Sequence, residues 1–170
     1  MDSTQHIVKL DPSSVELVDR TMMDLALEIP LFRPTIEKFV RGRPDSLLLV
    51  EFAGDSEDEQ IAKLKDLDRL MGDLGFPNAV VEAITGGDQK EFWEVRKSGL
   101  NIMMSMKGDG KPISFIEDCA VPLEDLAEYT SRLTEVFKKH GTDGTWYAHA
   151  SVGCLHVRPV VNLKEPEGAK

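Results

Sequence analysis

The sequence predicts an α+β fold of the ferredoxin-like type, with an antiparallel or mixed sheet and helices packed mainly on one face. Short runs rich in branched residues alternate with amphipathic runs along the chain. The last such segment, residues 146–158, is interrupted at Gly153 and predicts a β-hairpin, which is antiparallel by construction. A doubly wound parallel sheet is the competing fold. It is less favoured because no strand leads into a glycine-rich phosphate loop.

The first fifty residues predict two strands and two helices. We expect an edge strand over residues 5–10 and a helix over residues 15–27, where a serine pair can cap the helix. The apolar stripe of this helix contains Val15, Val18, Met22 and Leu25. A short helix is expected after Pro34, with Ile36, Phe39 and Val40 on one side. Residues 46–52 are continuously apolar, which predicts a central strand.

A long helix is expected in the next segment, because Asp55 and Ser56 can cap it and apolar residues follow at helical spacing. These residues are Ile61, Leu64, Leu67, Met71 and Leu74. Residues 79–84 predict a further strand, and residues 89–106 predict a helix.

The last part of the chain before the hairpin predicts one strand and one helix. The strand covers residues 113–121. Pro122 is a favourable first residue for a helix, and Gly141 follows its expected end. The inward side of this helix is expected to contain Leu126, Leu133, Val136 and Phe137.

The composition limits the class of protein. A length of 170 residues, 41% of them apolar, predicts one domain with a packed core. The formal charge of −10 argues against a nucleic-acid partner, which requires a basic face. The two cysteines, Cys119 and Cys154, form no disulfide framework and favour a reducing compartment. Because Met1 opens no signal-peptide pattern and no apolar run reaches about 20 residues, we expect a cytoplasmic protein without a membrane span.

The hairpin places two histidines where they could share a metal ion. If Val152 and Gly153 form a two-residue loop, His149 lies directly opposite His156. Opposed residues hold their Cβ atoms about 4.5–5.5 Å apart. This separation suits two imidazoles that bind one ion, each at about 2.0–2.1 Å for zinc. The alternative is that both are ordinary polar residues on a half-exposed hairpin.

Three motifs in order give the chain a family resemblance. They are Phe92-Trp-Glu-Val-Arg96-Lys-Ser-Gly, Phe115-Ile-Glu117-Asp118-Cys-Ala-Val-Pro122 and Ala148-His149-Ala-Ser-Val-Gly-Cys-Leu-His156-Val. The chain resembles the C-terminal, substrate-side domain of FAD-linked oxidases that act on D-lactate, glycolate or D-2-hydroxyglutarate. It is most similar to the large bacterial proteins that join this flavin module to an iron–sulfur module.

The resemblance implies roles for particular residues. His149 and His156 match the pair that binds a divalent metal, commonly zinc, and through it acts in catalysis. Arg96 occupies the position that grips a substrate carboxylate, and its alternative is a surface arginine paired with a glutamate. Arg158 is an additional cation where relatives often have an amide, which suggests a dianionic substrate. Glu117 and Asp118 are expected either to contact flavin or to order the end of a strand.

The resemblance also implies that parts of the enzyme lie outside these residues. The flavin-binding domain is expected before Met1, and the third metal ligand, a glutamate, after Lys170. The iron–sulfur cluster is expected in a downstream module. Cys154 is either a soft third ligand or, as we expect, a small buried residue. The chain is thus expected to be an inactive fragment of a longer enzyme. The alternative function is a freestanding ferredoxin-like module that binds or senses a small acid within a complete pocket of its own.

Overall fold

The computed structural model describes residues 1–170 as six β-strands and seven α-helices. The strands are β1 (Ser14–Asp19), β2 (Ser46–Glu51), β3 (Lys111–Pro112), β4 (Ile116–Ala120), β5 (Gly144–His149) and β6 (Cys154–Val161). The helices are α1 (Thr4–Ile7), α2 (Arg20–Glu28), α3 (Arg33–Phe39), α4 (Glu57–Asp73), α5 (Gly86–Lys97), α6 (Gly99–Met104) and α7 (Leu126–Lys139). Single 3-10 turns cover Val8–Leu10, Leu123–Asp125 and Ala150–Val152.

The strands form one sheet in which every pair is antiparallel, so the predicted α+β class is confirmed. The order is β2-β1-β5-β6, and β4 and β3 both pair with the remaining edge of β6. Because β4 and β5 each run antiparallel to β6, they run parallel to each other with β6 between them. Helix α7 connects β4 to β5. This is the split β-α-β arrangement found in ferredoxin-like sheets.

One face of the sheet is covered by the two longest helices, α4 and α7. Leu17, Ala148 and Leu155 project from neighbouring strands into this core and are fully buried. Leu67 of α4 and Phe137 of α7 pack against them. Burial of such side chains contributes about 1.5–3 kcal/mol each. This apolar layer holds the central strands flat against the helices and directs their alternate side chains to the other face.

The second face of the sheet is covered only in part. Helices α2, α3, α5 and α6 pack around Val18, Leu47 and Tyr147 and form a second core. Its buried helical residues are Met22, Met23, Ala26, Ile36, Val95, Ile102 and Met103. The rest of this face carries polar side chains from β1, β4, β5 and β6. The fold therefore has long helices behind the sheet, shorter helices at one part of its front, and a polar area beside them.

The predictions for the first strand and helix were wrong. Residues 5–10 form α1 and a 3-10 turn, and residues 14–19 form a strand instead of the start of a helix. The strand β1 pairs with both β2 and β5, and its two faces are buried in the two cores, so its sequence lacks the alternation of a half-exposed strand. The run of apolar residues therefore also matched a helical stripe. The helix α2 begins only at Arg20.

The short helix after Pro34 and the long helix after Ser56 are confirmed as α3 and α4. The Ser56 hydroxyl accepts a hydrogen bond from the Glu59 N–H at the start of α4. The strand β2 is also confirmed, but it lies at the edge of the sheet and pairs only with β1. The prediction of a central strand was therefore wrong. Its continuous apolar character reflects packing against helices on both sides.

Three other predictions changed in extent. Residues 79–84 form no strand. The helix predicted over residues 89–106 is two helices, α5 and α6, with a break at Ser98. The strand predicted over residues 113–121 is the shorter β4, and it carries a bulge between Ile116 and Cys119. The helix α7 follows a 3-10 turn after Pro122, and Val136, predicted to point inward, is exposed.

No helix in the structure combines the length and the apolar composition that crossing a membrane requires.

Asp19 connects the helix α2 to the centre of the sheet. One carboxylate oxygen accepts the Met22 N–H at 2.8 Å as the N-cap of α2, and the other accepts the Trp146 N–H of β5 at 2.9 Å. The residue is buried. Desolvation outweighs the two hydrogen bonds and raises the pKa of Asp19 to about 6.

This raised pKa predicts a pH dependence of stability. The folded state binds the Asp19 proton more tightly than the unfolded state, whose carboxyl has its ordinary pKa of 3.8. The stabilisation is therefore present below about pH 4 and is lost as the pH rises through about 6. Integrated over this window it corresponds to about 3 kcal/mol. We expect urea unfolding to show this decrease in wild type and not in Asp19→Asn. Asp68→Asn, at an exposed position of α4, is the control, and an unchanged pH slope in Asp19→Asn would contradict the assignment.

Candidate functional site

The hairpin of β5 and β6 brings the two predicted histidines together with a different register from the one expected. His149 lies opposite Cys154, and Tyr147 lies opposite His156. The prediction that His149 and His156 are directly opposed was therefore wrong by two residues. Because a two-residue shift preserves the face, both imidazoles still project from the polar face of the sheet. Their ring centres are 5.2 Å apart and their planes are nearly perpendicular.

A tight loop sets this register. The strands are connected by Ala150–Gly153, of which Ala150–Val152 form a 3-10 turn, in place of the predicted two-residue loop. Gly153 has a φ of +69°, and a Cβ at this position would lie 2.0 Å from the Val121 carbonyl oxygen. The Val121 N–H in turn donates to the Gly153 carbonyl at 2.9 Å. The loop is thus held against the end of β4 by a contact that only glycine permits.

Glu16 is the residue that organises the site, and no local pattern in the sequence indicated it. It projects from β1 directly opposite His149 and is 7% exposed. Its two carboxylate oxygens lie 2.9 and 3.0 Å from His149 Nδ1. A carboxylate at Nδ1 assigns the proton to that nitrogen and leaves Nε2 as the atom able to bind a ligand. The predicted helix over residues 15–27 hid this role, because Glu16 would then have pointed away from the hairpin.

Arg96 connects helix α5 to Glu16 on the polar face of the sheet. Its Nη2 lies 2.5 Å from Glu16 Oε2, and both side chains are nearly buried. The guanidinium lies over the Tyr147 ring at 5.3 Å, and Tyr147 stacks on His156 with ring centres 4.5 Å apart. Arg96 Nε is buried and has no hydrogen-bond partner. Arg96 therefore lies beside the two histidines and is paired with a glutamate, but it is nearly buried and is not the surface arginine of the alternative interpretation. Its contact with a substrate stays a prediction.

His156 is more enclosed than His149. Its side chain is 15% exposed, compared with 50% for His149. Its Nδ1 lies 2.9 Å from Asp118 Oδ1, but the direction is unsuitable for a hydrogen bond and the nitrogen has no hydrogen-bond partner. Burial, and then the neighbouring His149, lower the pKa of His156. The imidazole is therefore held in the neutral form that can bind a metal.

Glu117 and Asp118 occupy the bulge of β4 and point to different partners. Glu117 forms an ion pair with Arg158 of β6, and both side chains are largely buried. Asp118 adopts a left-handed backbone conformation, with a φ of 58°, and its side chain is exposed beside His156. The structure thus brings all six predicted residues to one face of the sheet. It pairs both predicted arginines with glutamates.

The donors present on this face suit a borderline-soft divalent ion. Asp118, Cys154 and His156 each offer a ligand atom, and these atoms all lie within 4.8 Å of one another. His149 lies beside this group, opposite Cys154. Burial and the neighbouring acidic groups raise the pKa of the Cys154 thiol. Nitrogen, sulfur and carboxylate oxygen are the ligands that zinc takes in proteins.

Comparison with known proteins identifies relatives of this chain. A family model described as FAD linked oxidases, C-terminal domain, matches residues 1–170. The chain is 32% identical to a D-2-hydroxyglutarate dehydrogenase of Pantoea ananatis, with 94% of this chain and 16% of that protein covered. It is 32% identical to the enzyme of that name from Escherichia coli, with 91% and 16% covered. It is 26% identical to a D-lactate dehydrogenase of Archaeoglobus fulgidus, with 90% and 30% covered. The chain spans about one sixth of the length of the D-2-hydroxyglutarate dehydrogenases that it matches.

Proposed function

Because the chain belongs to the FAD linked oxidases, C-terminal domain family, we propose that it forms the substrate- and metal-binding domain of an FAD-dependent dehydrogenase. Its substrate is a 2-hydroxy acid of the D-lactate, glycolate or D-2-hydroxyglutarate class. The observation that carries the proposal is the cluster of His149, His156, Glu16 and Arg96 on one face of the sheet. Two imidazoles beside a cation suit a small anionic substrate that is bound through a metal.

The residues present fit a divalent metal. Two imidazoles that bind one zinc ion at about 2.0–2.1 Å place their ring centres about 5 Å apart, and the observed separation is 5.2 Å. Glu16 at Nδ1 of His149 is the kind of outer partner that orients metal-binding histidines. His156 contributes a buried ring nitrogen that has no hydrogen-bond partner. His149 and His156 are therefore the proposed ligands.

The arginines and acidic residues of the chain position the substrate. A guanidinium has five N–H donors, so Arg96 retains free donors after it has bound Glu16 and can bind the substrate carboxylate. Arg158 lies on the same face and is proposed to meet a second, distal carboxylate, while Glu117 fixes its direction. A metal held by His149 and His156 would supply a Lewis acid for the substrate hydroxyl, and FAD would supply the acceptor for the hydride of the adjacent carbon. The ion pair of Glu117 with Arg158 favours, for Glu117, the role of ordering the end of the strand over contact with flavin. Asp118 is exposed at the bulge beside His156.

The remaining parts of the enzyme are proposed to lie in the longer parent protein. A separate domain binds FAD, and an iron–sulfur module accepts the electrons. His149 is half exposed, which is consistent with a site that another domain covers.

The proposal is tested by reducing the flavin with candidate substrates. We expect the natural protein that contains this chain to purify with FAD and to lose its flavin absorbance anaerobically when D-2-hydroxyglutarate or D-lactate is added. The matching L-acids are the control and should react far more slowly. A protein without flavin, or a flavin that none of these acids reduces, would contradict the proposal. If such a protein binds the acids without redox chemistry, the alternative of a small-acid-binding module is favoured.

A further inference from the structure

Cys154 lies within the site but has no role in the proposed function. It lies directly opposite His149 on the neighbouring strand, and its side chain is on the same face as His156, two residues along β6. The other cysteine, Cys119 of β4, lies opposite Leu155. It therefore packs into the apolar core on the opposite face of the sheet. The two cysteines are both free thiols. Only Cys154 therefore presents a sulfur atom to the polar face.

The distances around Cys154 define a three-donor group. The Cys154 sulfur, a ring nitrogen of His156 and a carboxylate oxygen of Asp118 all lie within 4.8 Å of one another. One of these residues, His156, carries a buried nitrogen without a hydrogen-bond partner, and nearby Asp118 is held at a bulge in a left-handed conformation. Three donors at this spacing can converge on one ion with small side-chain rotations, because Zn–S bonds are about 2.3 Å long and Zn–N bonds about 2.0–2.1 Å.

We propose that Cys154 is a thiolate ligand of the metal ion that His156 binds, with the Asp118 carboxylate as a further ligand. This inference rests on the metal site of the proposed function and changes its ligand set. A thiolate makes the site soft, so it should select zinc over magnesium and manganese, which prefer oxygen ligands. A thiolate ligand also lowers the net positive charge of the metal site. His149, held by Glu16, lies beside these three donors on the neighbouring strand.

The test is zinc K-edge X-ray absorption on the metal-free protein reconstituted with zinc. We expect about one sulfur per zinc at about 2.3 Å in wild type. Cys154→Ser and Cys154→Ala should lose this sulfur shell and weaken zinc binding by about tenfold or more, the loss caused by removal of even an outer-shell partner. Cys119→Ser is the matched control, because it removes the other cysteine of this chain, which lies on the opposite face of the sheet. It should leave the sulfur shell unchanged.

The outcomes separate the inference from the proposed function. Zinc bound through nitrogen and oxygen alone would overturn the role of Cys154 and leave a histidine metal site in place. A sulfur shell that persists in Cys154→Ser and Cys154→Ala would overturn it as well. Failure of the folded wild-type protein to bind zinc would overturn both this inference and the metal site of the proposed function. Far-UV circular dichroism establishes that each variant is folded.

Discussion

Replacement of His149 or His156 with alanine is expected to abolish turnover of the 2-hydroxy acid while FAD stays bound. Each variant removes an imidazole from the proposed metal site, whereas the flavin is proposed to be held mainly by another domain. Mutation of even an outer partner of a metal site typically costs about 10–100-fold in metal affinity or activity, so loss of a ligand is expected to cost at least as much. The measurements are steady-state turnover, metal content and released flavin. His140→Ala is the control, because this exposed histidine follows the end of α7 and is not part of the cluster of His149, His156, Glu16 and Arg96.

The same mechanism predicts that metal and activity are lost together in acid. Binding requires neutral imidazoles. Because burial lowers the pKa of His156, its ring remains neutral to a lower pH than an ordinary histidine. Full activity in either alanine variant, or in protein stripped of metal by a chelator, would show that the two histidines are structural.

Replacement of Arg96 with alanine is expected both to raise KM for the acid and to destabilise the fold. The side chains of Arg96 and Glu16 are 11% and 9% exposed, so the variant leaves a carboxylate buried without its cation. Breaking a buried ion pair in this way costs about 3–5 kcal/mol in the free energy of unfolding. Urea unfolding and steady-state kinetics measure the two effects. Lys97→Ala is the control, because the exposed ion pair of Lys97 with Glu94 contributes little.

A double variant distinguishes the two roles of Arg96. In Arg96→Ala combined with Glu16→Gln, the unpaired buried charge is removed as well, so part of the lost stability should return. KM should remain high, because the donor for the substrate carboxylate is still missing. A KM that recovers together with stability would mean that Arg96 acts only through the fold, and an unchanged KM in the single variant would exclude substrate contact.

Local patterns in the sequence were sufficient for several features. The helix α4 has a serine cap and repeated apolar spacing, so it was predicted near its true limits. The end of α7 before Gly141 was also predicted, whereas its start lies after a 3-10 turn that follows Pro122. These signals act within a few residues of each other, and a single sequence contains them in full. The motifs around Arg96, Glu117 and His156 likewise indicated the family, which the comparison confirmed. The α+β class followed from the alternation of such segments.

The tertiary structure alone decided how the site is assembled. β1 is a strand because β2 and β5 pair with it on either side, and burial on both faces removed the alternation that would have identified it. The position of Glu16 beside His149 therefore depends on residues 133 positions apart in the chain. The register of His149 and His156 was decided by the contact of Gly153 with Val121, which lies on another segment. Contacts between distant segments leave no periodic pattern in the sequence, because each partner carries only half of the interaction.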